Sequence, residues 1–199
     1  GFLMLAVAYS ENKLFFLVFS LLSVASHLTL VFAVLLIYGP INKLLARHNI
    51  LYVAITVFTA LSGNFLIIIL PHGADYADNQ GTLLAYYMPI AVLVISQLMF
   101  YRFDKVVSVR KNPFLVQFLK NVKPLVYGLI AIAFGMTGVV VTASTRYLEV
   151  ALCLLLLVAL ILYKKSYSNF IGFLLLIGFL SYLNIVRSTW LAIIAPSFN

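Results

Sequence analysis

The feature that most constrains this chain is a long, predominantly apolar stretch near its carboxyl end, residues 169–195. These 27 residues are enough to cross a bilayer as a helix, because a helix rises about 1.5 Å per residue and the hydrocarbon layer is about 30 Å thick. One charged residue, Arg187, lies within the stretch. A buried arginine is costly unless it reaches water, a protein partner or an anionic ligand, so Arg187 is a candidate functional residue. The alternative, that its guanidinium extends to the nearer membrane surface, stays open.

The composition extends this interpretation to the whole chain. Hydrophobic residues make up 64% of the 199, charged residues 9%, and the mean hydropathy is +1.13. We therefore expect an all-α, polytopic helical membrane protein that forms a single transmembrane domain over residues 1–199. The single cysteine, Cys153, can form neither an internal disulfide nor a metal site with other cysteines, and we expect no cofactor.

The distribution of the basic residues explains the net charge of +8, so binding of nucleic acid is not needed to account for it. Ten basic residues fall on alternate connections between the apolar stretches, which is the positive-inside pattern of helical membrane proteins. We expect these connections on the cytoplasmic side. The ten residues are Lys43, Arg47, Arg102, Lys105, Arg110, Lys111, Lys120, Lys123, Lys164 and Lys165.

The apolar stretches predict six complete transmembrane helices and one partial helix at the amino end, with the carboxyl end outside the cell. Gly39-Pro40 is expected to end the first complete helix, because proline interrupts a helix interior. Residues 102–123 are expected to form a long basic connection along the inner membrane surface. The predicted complete helices cover residues 14–38, 50–70, 83–101, 124–143, 150–163 and 169–195, and the partial helix covers residues 1–9.

Two arginines are expected near the outer membrane surface. Arg146 lies in a predicted outer turn, and Arg187 lies about 18 residues into its helix, roughly 27 Å from the cytoplasmic end. Two guanidiniums at one level could hold a diphosphate, because each presents a planar fork of donors to phosphate oxygens. Asp75 and Asp78 could bind a divalent cation, although solvated loop carboxylates are the simpler interpretation.

Four segments of the sequence together carry a resemblance to a known family: LMLAVAYSENKLFFLVFSLLSVASHL, DYADNQGTLLAYYMPIAVLVISQLMFY, LILYKKSYSNF and YLNIVRSTWLAII. They resemble the amino-terminal half of the O-antigen ligase family, which are membrane glycosyltransferases related to O-antigen polymerases. The first segment resembles the family's first helical hairpin, the second its external loop and fourth helix, the third its cytoplasmic Lys-Lys turn, and the fourth its arginine-containing helix.

The resemblance implies transfer of a glycan from a polyprenyl diphosphate carrier to lipid A–core at the periplasmic face of the bacterial inner membrane, without a metal or a nucleotide sugar. Arg187 matches the family's intramembrane arginine, implied to bind the donor diphosphate, and Arg146 is a looser match to an arginine of an earlier helix. The segment after Arg146 is shorter than in the family, and the large periplasmic loop with a further arginine and a histidine is missing. We therefore expect this chain to be part of a longer enzyme.

Two other classes of function are compatible with the same composition. A small transporter or permease subunit would need broken helices and charged residues that face a central cavity, and the predicted spans contain no acidic coupling residue. A non-catalytic membrane subunit or sensor input domain would use Arg187 only to anchor a helix.

Overall fold

A computed structural model shows the described part of the chain to be helical. The description covers residue 6 and residues 12–26, 31–69, 83–107, 113–139, 141–162 and 167–194. Within it lie eight α-helices and one 3₁₀ turn over Leu83–Tyr86. The helices are α1 (Lys13–Ser26), α2 (Val31–Ile37), α3 (Gly39–Arg47), α4 (Ile50–Ile69), α5 (Tyr87–Val107), α6 (Pro113–Thr137), α7 (Val141–Leu162) and α8 (Tyr167–Ile194).

Helix α6 is the centre of the fold. It contacts α2, α3, α4, α5, α7 and the 3₁₀ turn, so its apolar residues are covered from several directions. Leu125, Val126 and Leu129 are fully buried, and Ile130 and Ala131 on other sides of the same helix are buried as well. A helix that is apolar all round must be surrounded, and here neighbouring helices surround it.

Helix α4 lies directly against α6 and runs parallel to it. The rings of Tyr52 and Tyr127 meet at a centroid distance of 5.9 Å, and one turn later the Thr56 hydroxyl donates to the Ala131 carbonyl oxygen at 3.2 Å. A further turn on, Gly135 lies so close to α4 that a Cβ atom would be 3.0 Å from the Ala60 amide nitrogen. Glycine is needed there because any side chain would enter the α4 backbone.

The helices α5 and α7 run antiparallel to α6, and α8 runs antiparallel to α7. Tyr86, just before α5, contacts Phe134 at 5.2 Å between ring centroids, whereas Phe100 near the other end of α5 contacts Tyr127 at 5.6 Å. The turn from α6 into α7 is closed by a hydrogen bond between the Thr137 and Ser144 hydroxyls, 2.7 Å apart. These directions give the bundle two distinct ends.

One end of the bundle carries most of the described cations, and we refer to it as the basic end. There the Asn42 side-chain amide donates to the carbonyl oxygens of Leu36, at 3.1 Å, and Asn121, at 3.2 Å. These bonds fasten α3 across the start of α6, because one buried amide satisfies carbonyls from two helices. The cationic residues of the basic end are Lys43, Arg47, Arg102, Lys120 and Lys123, all exposed or partly exposed.

The outward faces of the bundle are as apolar as its interior. Large hydrophobic side chains are exposed on α1, α4, α5 and α8, among them Leu61 (74% exposed), Leu98 (53%) and Leu175 (68%). Contiguous apolar surface of this kind is uncommon on soluble monomers and marks contact with a membrane or another protein.

The all-helical class is confirmed, but the prediction of six complete transmembrane helices is wrong. Among the residues described, one helix is long and apolar enough to cross a membrane, α7 over residues 143–160. A second crossing is possible only if α3 and the first part of α4 count as one span, although they are bent by 115°. Hydrophobic continuity was a poor guide because burial inside the bundle, as in α6, requires the same apolar sequence as contact with lipid.

The predicted boundaries fail at specific residues. Helix α2 ends at Ile37, in agreement with the predicted end at residue 38. Pro40 stands in the first turn of α3, however, where a missing amide hydrogen costs nothing, so the predicted loop is mostly helical. Pro124 lies inside α6 instead of starting a helix, and the predicted outer turn around Arg146 is part of α7. The predicted basic connection over residues 102–123 is largely helical, since α5 continues to Val107 and α6 begins at Pro113.

Candidate functional site

Arg146 lies on the outer surface of α7 near its amino end. Its two neighbours in sequence, Thr145 and Tyr147, are buried, whereas Arg146 is exposed. Tyr147 packs edge-on against Phe32 of α2 at a centroid distance of 6.5 Å, and this contact fixes the rotation of α7. Arg146 forms no ion pair with any side chain that the structure describes.

The position of Arg187 is set by Asn184, one helical turn before it on α8. Asn184 is fully buried, and its side-chain amide donates to the Thr145 carbonyl oxygen of α7 at 3.0 Å. Its side-chain oxygen has no hydrogen-bond partner among the described residues. The backbone of Arg187 continues α8, and its side chain lies outside the described part of the structure.

The hydrogen bond between α7 and α8 determines the relative level of the two arginines. It places Asn184 and Thr145 at one height in the bundle. At about 1.5 Å per residue, the Cα atoms of Arg146 and Arg187 are then separated by roughly 6 Å along the helix axes. We refer to this part of the bundle as the arginine end, and it lies opposite the basic end.

The other predicted candidates contribute no described site. Asp75 and Asp78 lie outside the described residues. Within the described ranges, no group of three histidine, cysteine, aspartate or glutamate residues could hold a metal ion. Cys153 is exposed on α7.

The structure reveals a groove that sequence reasoning missed, between α4, α5 and α6 near the basic end. Its volume is about 350 Å³. Three separate segments supply its walls, and their residues are mostly apolar, so no local motif could have indicated it. The groove is lined by Asn49, Tyr52, Val53, Thr56, Leu93, Gln97, Tyr127, Ile130, Ala131 and Phe134.

A row of aromatic rings connects this groove to a lysine. Tyr52 and Tyr127 of the groove contact each other, and Tyr127 also contacts Phe100. The Lys123 Nζ atom lies over the Phe100 ring, 6.0 Å from its centroid. A cation at this distance from a ring face is attracted by the ring's quadrupole, so the lysine is held against Phe100, whose ring contacts Tyr127 of the groove.

Comparison with known proteins identifies no family for this chain. No family model matches the chain, and neither curated proteins nor solved structures include a significant match. The resemblance to O-antigen ligases therefore stays a prediction that depends on the four sequence segments alone.

Proposed function

We propose that this protein is embedded in a lipid bilayer and binds the diphosphate of a polyprenyl-linked glycan at its arginine end, as part of a glycosyltransferase that resembles O-antigen ligase. The observation that carries the proposal is the Asn184–Thr145 hydrogen bond, because it brings the Cα atoms of Arg146 and Arg187 to within roughly 6 Å of each other along the helix axes. The acceptor implied by the resemblance is lipid A–core at the periplasmic face of the inner membrane.

Embedding in a bilayer is supported by the outward apolar faces of the bundle. In water, exposed side chains such as Leu61 and Leu175 would each forfeit about 25 cal/mol for every Å² of apolar surface left unburied. Contact with acyl chains removes this cost. Membrane embedding is also consistent with the mean hydropathy of +1.13 over the whole chain.

The chemistry at the arginine end follows from the charge on the leaving group. In the transfer, an acceptor hydroxyl oxygen forms a bond to the anomeric carbon of the glycan, while the bond from that carbon to the diphosphate oxygen breaks. The diphosphate departs with the electron pair, and the hydroxyl proton passes to a base or to water. Fixed guanidiniums stabilise the developing negative charge, and they do so more strongly away from bulk water.

The direct test replaces each arginine by lysine, which keeps the charge but loses the planar fork of donors. We expect Arg187→Lys largely to abolish glycan transfer and to reduce the polyprenyl diphosphate that copurifies with the protein, measured by mass spectrometry. Arg146→Lys should have a smaller effect in the same direction. Arg102→Lys makes the same chemical change at the opposite end and serves as the matched control.

Normal glycan transfer by the Arg187→Lys protein would refute the proposal. Loss of transfer in the Arg102→Lys control to the same extent would also count against it, because the effect would then not depend on the arginine end.

A further inference from the structure

We infer that the groove between α4, α5 and α6 is a binding site for an anionic phospholipid, with one acyl chain in the groove and the phosphate beside Lys123 at the basic end. This inference depends on the bilayer embedding proposed above and not on glycan transfer, because the groove and the arginine end lie at opposite ends of the bundle.

The inner part of the groove suits a hydrocarbon chain. Ile130, Ala131 and Phe134 of α6 form its floor, and Val53 and Leu93 form its sides. Its volume of about 350 Å³ falls within the range of about 300–1,000 Å³ that is usual for small-ligand sites.

The Thr56 hydroxyl, one of three hydroxyls among the lining residues, is already satisfied by the protein. Thr56 Oγ1 shares its single proton between the carbonyl oxygens of Tyr52, at 2.9 Å, and Ala131, at 3.2 Å. It therefore presents mainly its methyl group to a ligand.

One polar lining residue marks the basic end of the groove. Asn49 precedes the first turn of α4, and its side chain is exposed. Gln97, also exposed, lies further along the groove, one turn before Phe100 on α5, which continues to Val107. Phe134, in contrast, lies toward the arginine end. A polar residue at one end and an apolar residue at the other match an amphiphile with its headgroup at the basic end and its chain directed away from it.

The positive charge of the basic end favours an anionic headgroup. All ionised side chains described there are cationic, and the one carboxylate side chain that the structure describes, Glu149, belongs to α7 near the arginine end. Clustered lysines and arginines at a membrane surface attract anionic lipids. Lys123 is linked to the groove through its contact with Phe100 and the contact of Phe100 with Tyr127.

The experiment measures lipid selection by the purified protein. The protein is reconstituted into vesicles of equal parts phosphatidylcholine and phosphatidylglycerol and then extracted in mild detergent, and the ratio of the two retained lipids is measured by mass spectrometry. The unchanged protein should retain phosphatidylglycerol in excess. Lys123→Gln should reduce this excess by about fivefold, the factor equivalent to about 1 kcal/mol for a basic residue near an anionic surface. Lys13→Gln, at the exposed start of α1, should leave it unchanged.

A second pair of variants tests the groove itself. Leu93→Trp fills the groove from a partly exposed position and should remove the excess, whereas Leu98→Trp adds the same bulk to the same helix outside the groove and should not. Each variant is first floated with the vesicles on a density gradient, which shows that it folds and inserts.

The remaining outcomes separate the two proposals. Failure of the unchanged protein to float with vesicles overturns both bilayer embedding and the lipid site. Flotation without enrichment of phosphatidylglycerol overturns the lipid site alone. Suppose that Leu93→Trp lowers both retained lipids equally and that Lys123→Gln has no effect. The groove would then take an acyl chain without selecting a headgroup, and this result would also overturn the assignment of the groove to an anionic phospholipid.

Discussion

Replacing Gly135 by alanine tests the close contact between α4 and α6 on which the bundle is built. The added Cβ atom would lie 3.0 Å from the Ala60 amide nitrogen and closer still to the Thr56 carbonyl oxygen and the Thr59 hydroxyl. Two of these three atoms belong to the backbone, so a side-chain rotation cannot relieve the overlap. The helices must separate, and the Thr56–Ala131 hydrogen bond one turn away lengthens.

The expected magnitude combines three contributions. Overpacking costs about 1–3 kcal/mol, and weakening of one hydrogen bond costs about 0.5–1.5 kcal/mol. Against these, alanine favours a helix interior over glycine by about 1 kcal/mol. We therefore expect Gly135→Ala to lower the free energy of unfolding by about 1–3 kcal/mol.

The assay is denaturant unfolding in detergent micelles, followed by far-ultraviolet circular dichroism. Gly172→Ala is the matched control, because that glycine lies on α8 with no atom within 4 Å of its added Cβ. The control should gain up to about 1 kcal/mol from helix propensity alone. A Gly135→Ala protein as stable as the Gly172→Ala protein would refute the close approach of α4 to α6.

Two further substitutions probe other contacts of α6. Gly128→Ala places its Cβ 2.7 Å from a methyl group of Leu36, a side chain that can rotate, so unfolding in the same assay should show a smaller loss than Gly135→Ala. An equal or larger loss would contradict this ranking. Asn42→Ala leaves the carbonyl oxygens of Leu36 and Asn121 without their described donor and should cost about 1–3 kcal/mol. Unchanged stability would show that α3 is not fastened to α6 by this amide.

The sequence was sufficient to predict helices but not their arrangement. Apolar stretches with few polar interruptions correctly indicated an all-helical chain. The same stretches were wrongly assigned to six membrane crossings, because the apolar residues of α6 are covered by protein. Pro40 illustrates the difficulty at a boundary, since proline both ends one helix and suits the first turn of the next.

The sites differ in how much local sequence could indicate. Arg187 stood out because it is a single charge in a long apolar stretch, and the helix rise was enough to expect Arg146 near the same level. The groove could not be predicted, because it exists only where Tyr52 of α4, Leu93 of α5 and Tyr127 of α6 meet. Such a site depends on tertiary contacts between segments that carry no motif of their own.

The pairing of α4 with α6 has a consequence for the order in which the protein assembles. Thr56 and its partner Ala131 are separated by 75 positions in the chain. At a synthesis rate of about 5–20 residues per second, α4 emerges from the ribosome roughly 4–15 s before the helix it packs against. During that interval the surface of α4 that will face Gly135 has no native neighbour. Until translation reaches α6, this surface either stays exposed or is covered by something other than its native neighbour.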